Sequence, residues 1–205
     1  MEKLNLLYTG NIRGDLHGLP RLYTCLQQLR QQFPAEDGSP LLLDLGETCA
    51  PDIWHCAATG GRSVLIVLDG MGYHAAHVAL EESERHKLHG VTSLGLVDDR
   101  RNWRYHVPPV RDDGIVVSAQ PTPALRLNIV LTPADATQIS DGTLYLQAVE
   151  KGQIGRVQLD LSAGPRLLSA EIVRCPPGLR PDVTIAAAVD FVEEEARYAQ
   201  RQRGD

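Results

Sequence analysis

The apolar run Leu6, Leu7, Tyr8, Thr9 breaks off into Gly10, Asn11, Arg13, Gly14, Asp15, His17 and Gly18, which sets an amide, a guanidinium, a carboxylate and an imidazole close together. Amide, carboxylate and imidazole can ligate a divalent cation, whereas a guanidinium cannot. A second apolar run, Leu41 to Leu45, contains Asp44 and ends in Gly46, Glu47 and Thr48. In open α/β sheets ligands sit beyond the carboxyl ends of strands, so these two run ends are where chemistry is expected. His74 and His77, together with Cys49, His55 and Cys56, offer imidazole and thiol donors. Their spacing matches no structural zinc module, and they read as ordinary buried Cys and surface His. Gly10, Gly14 and Gly18 fit neither phosphate-cradling glycine pattern and read as turn residues. Ser63, Ser83, Ser93 and Ser118 sit in no nucleophile elbow.

The elements that must position these groups follow from hydrophobic periodicity. Leu4 to Thr9 reads as a strand. Apolar residues at 19, 22, 26, 29 and 33 form a helical stripe that stops before Pro34, and Leu41 to Leu45 is a strand covered on both faces. Strand, helix and strand in that order imply parallel βαβ topology. Residues 49–62 read as irregular. By periodicity alone, residues 63–68 are ambiguous between strand and helix. Glu81 to Leu88 reads as an exposed helix and Val91 to Val97 as a strand, followed by a charged loop from Asp98 to Arg104. Further strands are expected at Ile115 to Ser118, Leu125 to Leu131, Thr143 to Val149, Gly155 to Leu161 and Leu167 to Val173. Turns separate them at Asp112 to Gly114, Asp141-Gly142, Lys151-Gly152 and Ala163 to Pro165. A terminal helix over 185–202 carries its apolar face on Ile185, Val189, Val192 and Ala196.

The 205 residues fit a single domain, 1–205, able to bury a core without staples. A net charge of −6 with both signs interleaved argues against nucleic acid or an anionic membrane surface as partner. No stretch approaches 18 uninterrupted apolar residues and no leader is visible at the N-terminus, so the expectation is a soluble cytoplasmic protein. In that reducing setting Cys25, Cys49, Cys56 and Cys175 read as free thiols.

The segment Thr9-Gly10-Asn11-Ile12-Arg13-Gly14, followed by Leu19-Pro20-Arg21-Leu22 through Leu29-Arg30, resembles the opening of the calcineurin-like metallophosphoesterases of the 5'-nucleotidase type. In that family a strand ends in Thr-Asn-Asp-x-His-Gly before a helix. Asp44 to Thr48 is similar to the family's Asp-x-Gly-Asp-Thr, and residues 141–161 to its closing Gln-Ala and Gly-Arg hairpin. The resemblance implies a shortened α/β/β/α sandwich of two mixed β-sheets flanked by helices, with residues 63–70 helical and a strand near Tyr73 to Val78. It also implies a site built for two divalent metals that activate water against a phosphoester. At the matching positions this sequence departs from the pattern: Asn11 replaces the first Asp, Arg13 the first His, and Glu47 the bridging Asp. Ala79 to Glu82 fall where Gly-Asn-His-Glu belongs, and Thr132 to Thr137 where Gly-His-x-His belongs. A guanidinium that never deprotonates cannot ligate a cation.

The resulting expectation is a non-catalytic binding or interaction module with a vestigial cleft at Asn11, Arg13, Asp44 and Glu47. It has no cofactor, and its partner is an unidentified protein or a small phosphorylated ligand. Arg13 and Glu47 are expected to form an ion pair that takes over from the lost metals. The alternative is a phosphoesterase hydrolase with a rebuilt site using Mn, Zn or Fe, with Asp15, His17, Asp44, Glu47 and His77 as donors. Asp15-Leu16-His17-Gly18 also resembles the Asp-x-His-Gly of calcineurin-type phosphatases. Its place several residues past the strand makes it a solvated turn.

Overall fold

The computed structural model describes residues 2–108, 114–124 and 126–203. The expected turn at Asp112-Asp113 and the first residue of the expected strand at Leu125 lie outside them.

The first half alternates strand and helix. β1 (Lys3–Thr9) leads through a 3-10 turn at Leu16–Gly18 into α1 (Leu19–Arg30), with Pro20 in its first turn, and β2 follows (Leu41–Asp44). α2 (Trp54–Thr59) and α3 (Arg62–Gly70) precede β3 (Ala75–His77), α4 (Glu82–Leu88) and β4 (Gly95–Val97). The second half is β-rich: β5 (Tyr105–His106), β6 (Ile115–Ser118), β7 (Leu127–Ala134), β8 (Gln138–Ser140), β9 (Thr143–Gln147), β10 (Gln153–Asp160) and β11 (Arg166–Arg174). α5 (Val183–Arg203) closes the chain, and the Asp182 carboxylate caps it by accepting from the backbone N–H groups of Thr184 and Ile185.

Two mixed sheets form. One has the order β11-β10-β1-β2-β3-β4 and the other β5-β6-β7-β9-β8. β1 lies between β10, which it pairs antiparallel, and β2, which it pairs parallel. Period-2 alternation splits each strand between two cores. Leu6, Tyr8, Leu41 and Leu43 face the second sheet, where they meet Leu127, Ile129, Leu131 and Leu144. Leu7, Leu42 and Ala76 face the helices, whose buried sides supply Leu22, Leu26, Val64, Leu68, Ile185, Val189 and Val192. The unbroken apolar run at Leu41 to Leu43 is thus what a strand covered on both faces requires.

Several expectations change. Residues 54–59 form a helical turn where irregular chain was expected. Gly60 and Gly61, at φ +59° and +88°, end α2 and open α3, so the Gly-Gly pair is a joint between two helices. The helix expected from the resemblance over 63–70 is present, and the strand expected over 91–97 is confined to Gly95–Val97. Not all cysteines are free: Cys49 and Cys56 form a disulfide, while Cys25 and Cys175 remain thiols. The free-thiol reading rested on an assumed compartment, whereas α2 folds back and brings Cys56 beside the loop after β2. No helix among the described residues is long and apolar enough to cross a membrane.

A candidate cleft beyond strands β1 and β2

The parallel pairing of β1 and β2 does not stop at their ends. Leu45 N–H donates to Thr9 O, Asn11 N–H to Gly46 O, Arg13 N–H to Glu47 O and Gly14 N–H to Thr48 O, at 2.8–2.9 Å. These bonds hold the two loops side by side. Asn11, Arg13 and Glu47 all adopt left-handed backbone, with φ of +56°, +52° and +55°. Non-glycine residues held this way cost on the order of 1 kcal/mol or more each, and such strain concentrates at functional sites. Gly14, at φ +80°, has no room for a side chain, because a Cβ would lie 2.9 Å from Ile53 and 3.1 Å from the Cys56 sulfur.

A cleft of about 570 Å³ opens above these loops. It is lined by Asn11, Arg13 and Glu47, by His77 and Ala79 at the end of β3, and by Asp99 and Arg100 after β4. Arg13, Glu47 and Arg100 are exposed. Among the described residues the side chains of Arg13 and Arg100 have no hydrogen-bonding or ion-pair partner. The expected Arg13–Glu47 ion pair is therefore not formed: the backbones are bonded, but both side chains stay in solvent. Arg100 is placed by Asp98, a buried carboxylate that accepts from Arg100 N at 2.7 Å, Arg101 N at 3.3 Å and Arg101 Nη1 at 3.1 Å.

Asp44 lies beneath the cleft with no exposure, rather than in it. Its Oδ1 accepts from Gly46 N at 2.9 Å and its Oδ2 from Thr9 Oγ1 at 2.7 Å, while Thr9 Oγ1 lies 2.8 Å from the Tyr73 hydroxyl. Burial pushes its carboxyl up to about 6, against the pull of the Thr9 and Gly46 hydrogen bonds. Burial and the neighbouring Asp44 carboxylate push the Tyr73 phenol up as well, so it stays a neutral donor.

The remaining candidates separate. Asp15 caps the 3-10 turn by accepting from Gly18 N, and pairs with Lys151 at 3.4 Å. His17 is exposed and lies 3.1 Å from Glu193. Neither lines the cleft, as the solvated-turn reading expected. His74 accepts the Leu42 N–H at Nδ1. Cys49, His55 and Cys56 do come together, with donor atoms all within 4.8 Å of one another, and they are the one such group of three or more His, Cys, Asp or Glu among the described residues. No such group converges in the cleft. Its donors, Asn11, Glu47 and His77, share the space with two unpaired guanidinium groups, so the residues present do not fit a pair of divalent metals.

The residues missed in the sequence are Asp98, Asp99 and Arg100, legible there only as a charged loop. The signal that could have found them is that this loop follows the carboxyl end of a parallel strand.

No protein-family model matches the chain. No curated protein matches it in sequence. Solved structures do match its shape. A 5'-nucleotidase precursor from Thermus thermophilus superimposes with a TM-score of 0.65 at 12% identity, over 96% of this chain and 59% of that one. NAD nucleotidase from Haemophilus influenzae gives 0.57 at 9% identity, over 94% and 62%. The sulfate thiohydrolase SoxB of Thermus thermophilus gives 0.59 at 13% identity, over 85% and 46%. The chain spans less than two thirds of the length of each. At these identities the likeness shows the fold alone, two mixed sheets flanked by helices, shared with these nucleotidase structures.

Proposed function

We propose that this 5'-nucleotidase-type fold serves here as a non-catalytic binding module, taking a small phosphorylated ligand in the cleft beyond β1 and β2. One observation carries the reading: Arg13 stands unpaired in the cleft at the position where the resembling family places a metal-ligating histidine. A guanidinium there repels cations and offers a planar fork to phosphate oxygens. Arg100 adds a second unpaired charge from the opposite loop. The Glu47 carboxylate, in the same cleft, would oppose a bare phosphate and accept from hydroxyl groups, and the Asn11 amide can donate to a phosphate oxygen or accept from a hydroxyl, which favours a phosphorylated ligand that also carries hydroxyls. The strain at Asn11, Arg13 and Glu47 supports a site whose geometry is held in advance.

Calorimetric titration with inorganic phosphate, a sugar phosphate and a nucleoside monophosphate, all in a chelator, tests this. The sugar or nucleoside phosphate should bind more tightly than phosphate alone. Arg13→Ala should weaken it at least tenfold, about 1.4 kcal/mol, with little effect on melting temperature. Binding that is indifferent to Arg13→Ala removes the proposal. The rival reading, a hydrolase with a rebuilt site using Mn, Zn or Fe, draws on Glu47 and His77 in the same cleft. Manganese-dependent cleavage of an aryl phosphate, abolished by Glu47→Gln, would establish it instead.

A further inference from the structure

We propose that Cys49, Cys56 and His55 form a soft-metal site, separate from the cleft, which the Cys49–Cys56 disulfide masks and which reduction opens to a zinc ion. The two sulfurs and a His55 ring nitrogen lie within 4.8 Å of one another. Tetrahedral zinc with bonds of about 2.0–2.3 Å places its donors about 3.3–3.8 Å apart. Breaking the sulfur–sulfur bond lets the two sulfurs move apart toward that spacing, and the imidazole has little distance to close. Thiolate and imidazole are the donors that select zinc over hard cations.

The hydrogen-bond partners of the His55 ring fix its tautomer. The ring is buried, and its Nε2 lies 2.9 Å from Gly14 O. A carbonyl can only accept, so Nε2 carries the proton and Nδ1 keeps its lone pair. A metal-bound histidine is typically oriented in this way, by donating its other ring N–H to a carbonyl. The one partner at Nδ1 is the Ser63 hydroxyl, at 2.8 Å. That hydroxyl can rotate its hydrogen away, leaving Nδ1 to the metal and Ser63 Oγ, or a water, for the fourth position. Cys49 is the more open of the two residues, partly buried where Cys56 is 4% exposed.

The step balances. A dithiol reductant gives two electrons and two protons to the Cys49–Cys56 bond, yielding two thiols, and closes to its own disulfide. Zn2+ then displaces both thiol protons, forming two Zn–S bonds, while His55 contributes its lone pair without proton loss.

The test uses the full chain, reduced with a phosphine under inert gas and titrated with zinc against a chromogenic chelator. One equivalent should bind to the reduced protein and none at this site to the disulfide form. Cys49→Ser with Cys56→Ser should abolish uptake, and His55→Gln should weaken it at least tenfold. Reduced protein that takes up no more zinc than the double-serine variant, or a His55→Gln protein with unchanged affinity, overturns the proposal. Should the double-serine protein fail to fold, a Cys25→Ser, Cys175→Ser protein leaves Cys49 and Cys56 as the only thiols. Its cobalt adduct must show thiolate charge-transfer absorption, and a cobalt adduct without that absorption overturns the site.

Discussion

Replacing Gly155 by alanine is expected to cost about 3 kcal/mol of folding stability, at the upper end of what overpacking usually costs. Gly155 in β10 stands directly across from Tyr8 in β1, and the Tyr8 ring lies over the bare backbone. A Cβ added at Gly155 would lie 1.9 Å from Tyr8 Cζ and 2.1 Å from Cε1. The ring cannot step aside, because Tyr8 has no exposure and is packed between the two sheets. For a chain of this size the loss corresponds to a fall in melting temperature of roughly 6–12 °C. Urea unfolding of Gly155→Ala alone and with Tyr8→Leu checks the cause. The smaller side chain should restore much of what the alanine removed, and two additive losses would mean that the ring and the glycine are not coupled.

Asp44 should make stability fall as pH rises, opposite to the usual carboxylate. Its folded-state value of about 6 lies above its ordinary 3.8. The folded state therefore holds the proton more tightly, and its contribution is fully present below pH 3.8 and lost as pH climbs through about 6. The gap corresponds to about 3 kcal/mol. Protonated, Asp44 can donate to Thr9, which donates onward to Tyr73; ionised, it accepts from Thr9 and the chain of hydroxyls runs the other way. Asp44→Asn keeps an acceptor for Gly46 N and should flatten this slope while matching or exceeding wild-type stability at pH 8. Asp44→Ala strands the Gly46 N–H and should cost about 2 kcal/mol. Unfolding free energies measured from pH 4 to 8 decide the matter. A wild-type slope that survives in Asp44→Asn would assign it to another group.

Much of the fold was legible because burial writes a period into the chain. Ile185, Val189, Val192 and Ala196 were read as the inner face of the last helix, and all are at most 2% exposed. Leu41 to Leu43 could be read as doubly covered for the same reason. Residues 63–68 could not be assigned from period, since a helix buried on most sides and a central strand are both continuously apolar. Here the resemblance supplied what the pattern lacked. The cleft was legible as two run ends, and its electrostatics were not. Whether Arg13 meets Glu47 depends on where two left-handed turns send their side chains, which residue types do not encode. The disulfide was hidden for another reason: two cysteines seven residues apart meet only if the chain between them turns back, and α2 makes that turn.

The position of β1 bears on the order in which the molecule can assemble. Its two neighbours in the sheet lie at opposite ends of the sequence, β2 some thirty-five residues on and β10 about one hundred and fifty. During synthesis from the N-terminus, β1 to β4 can pair, but one edge of β1 keeps its N–H and C=O groups bare until residues 153–160 have been made. Until then the growing chain carries an open template for strand addition along β1, and this edge is shielded only when the β10–β11 hairpin docks. The Tyr8 ring, waiting for a glycine that arrives that late, makes β10 the strand that fits the gap, since a side chain at that position on any competing strand would meet the ring.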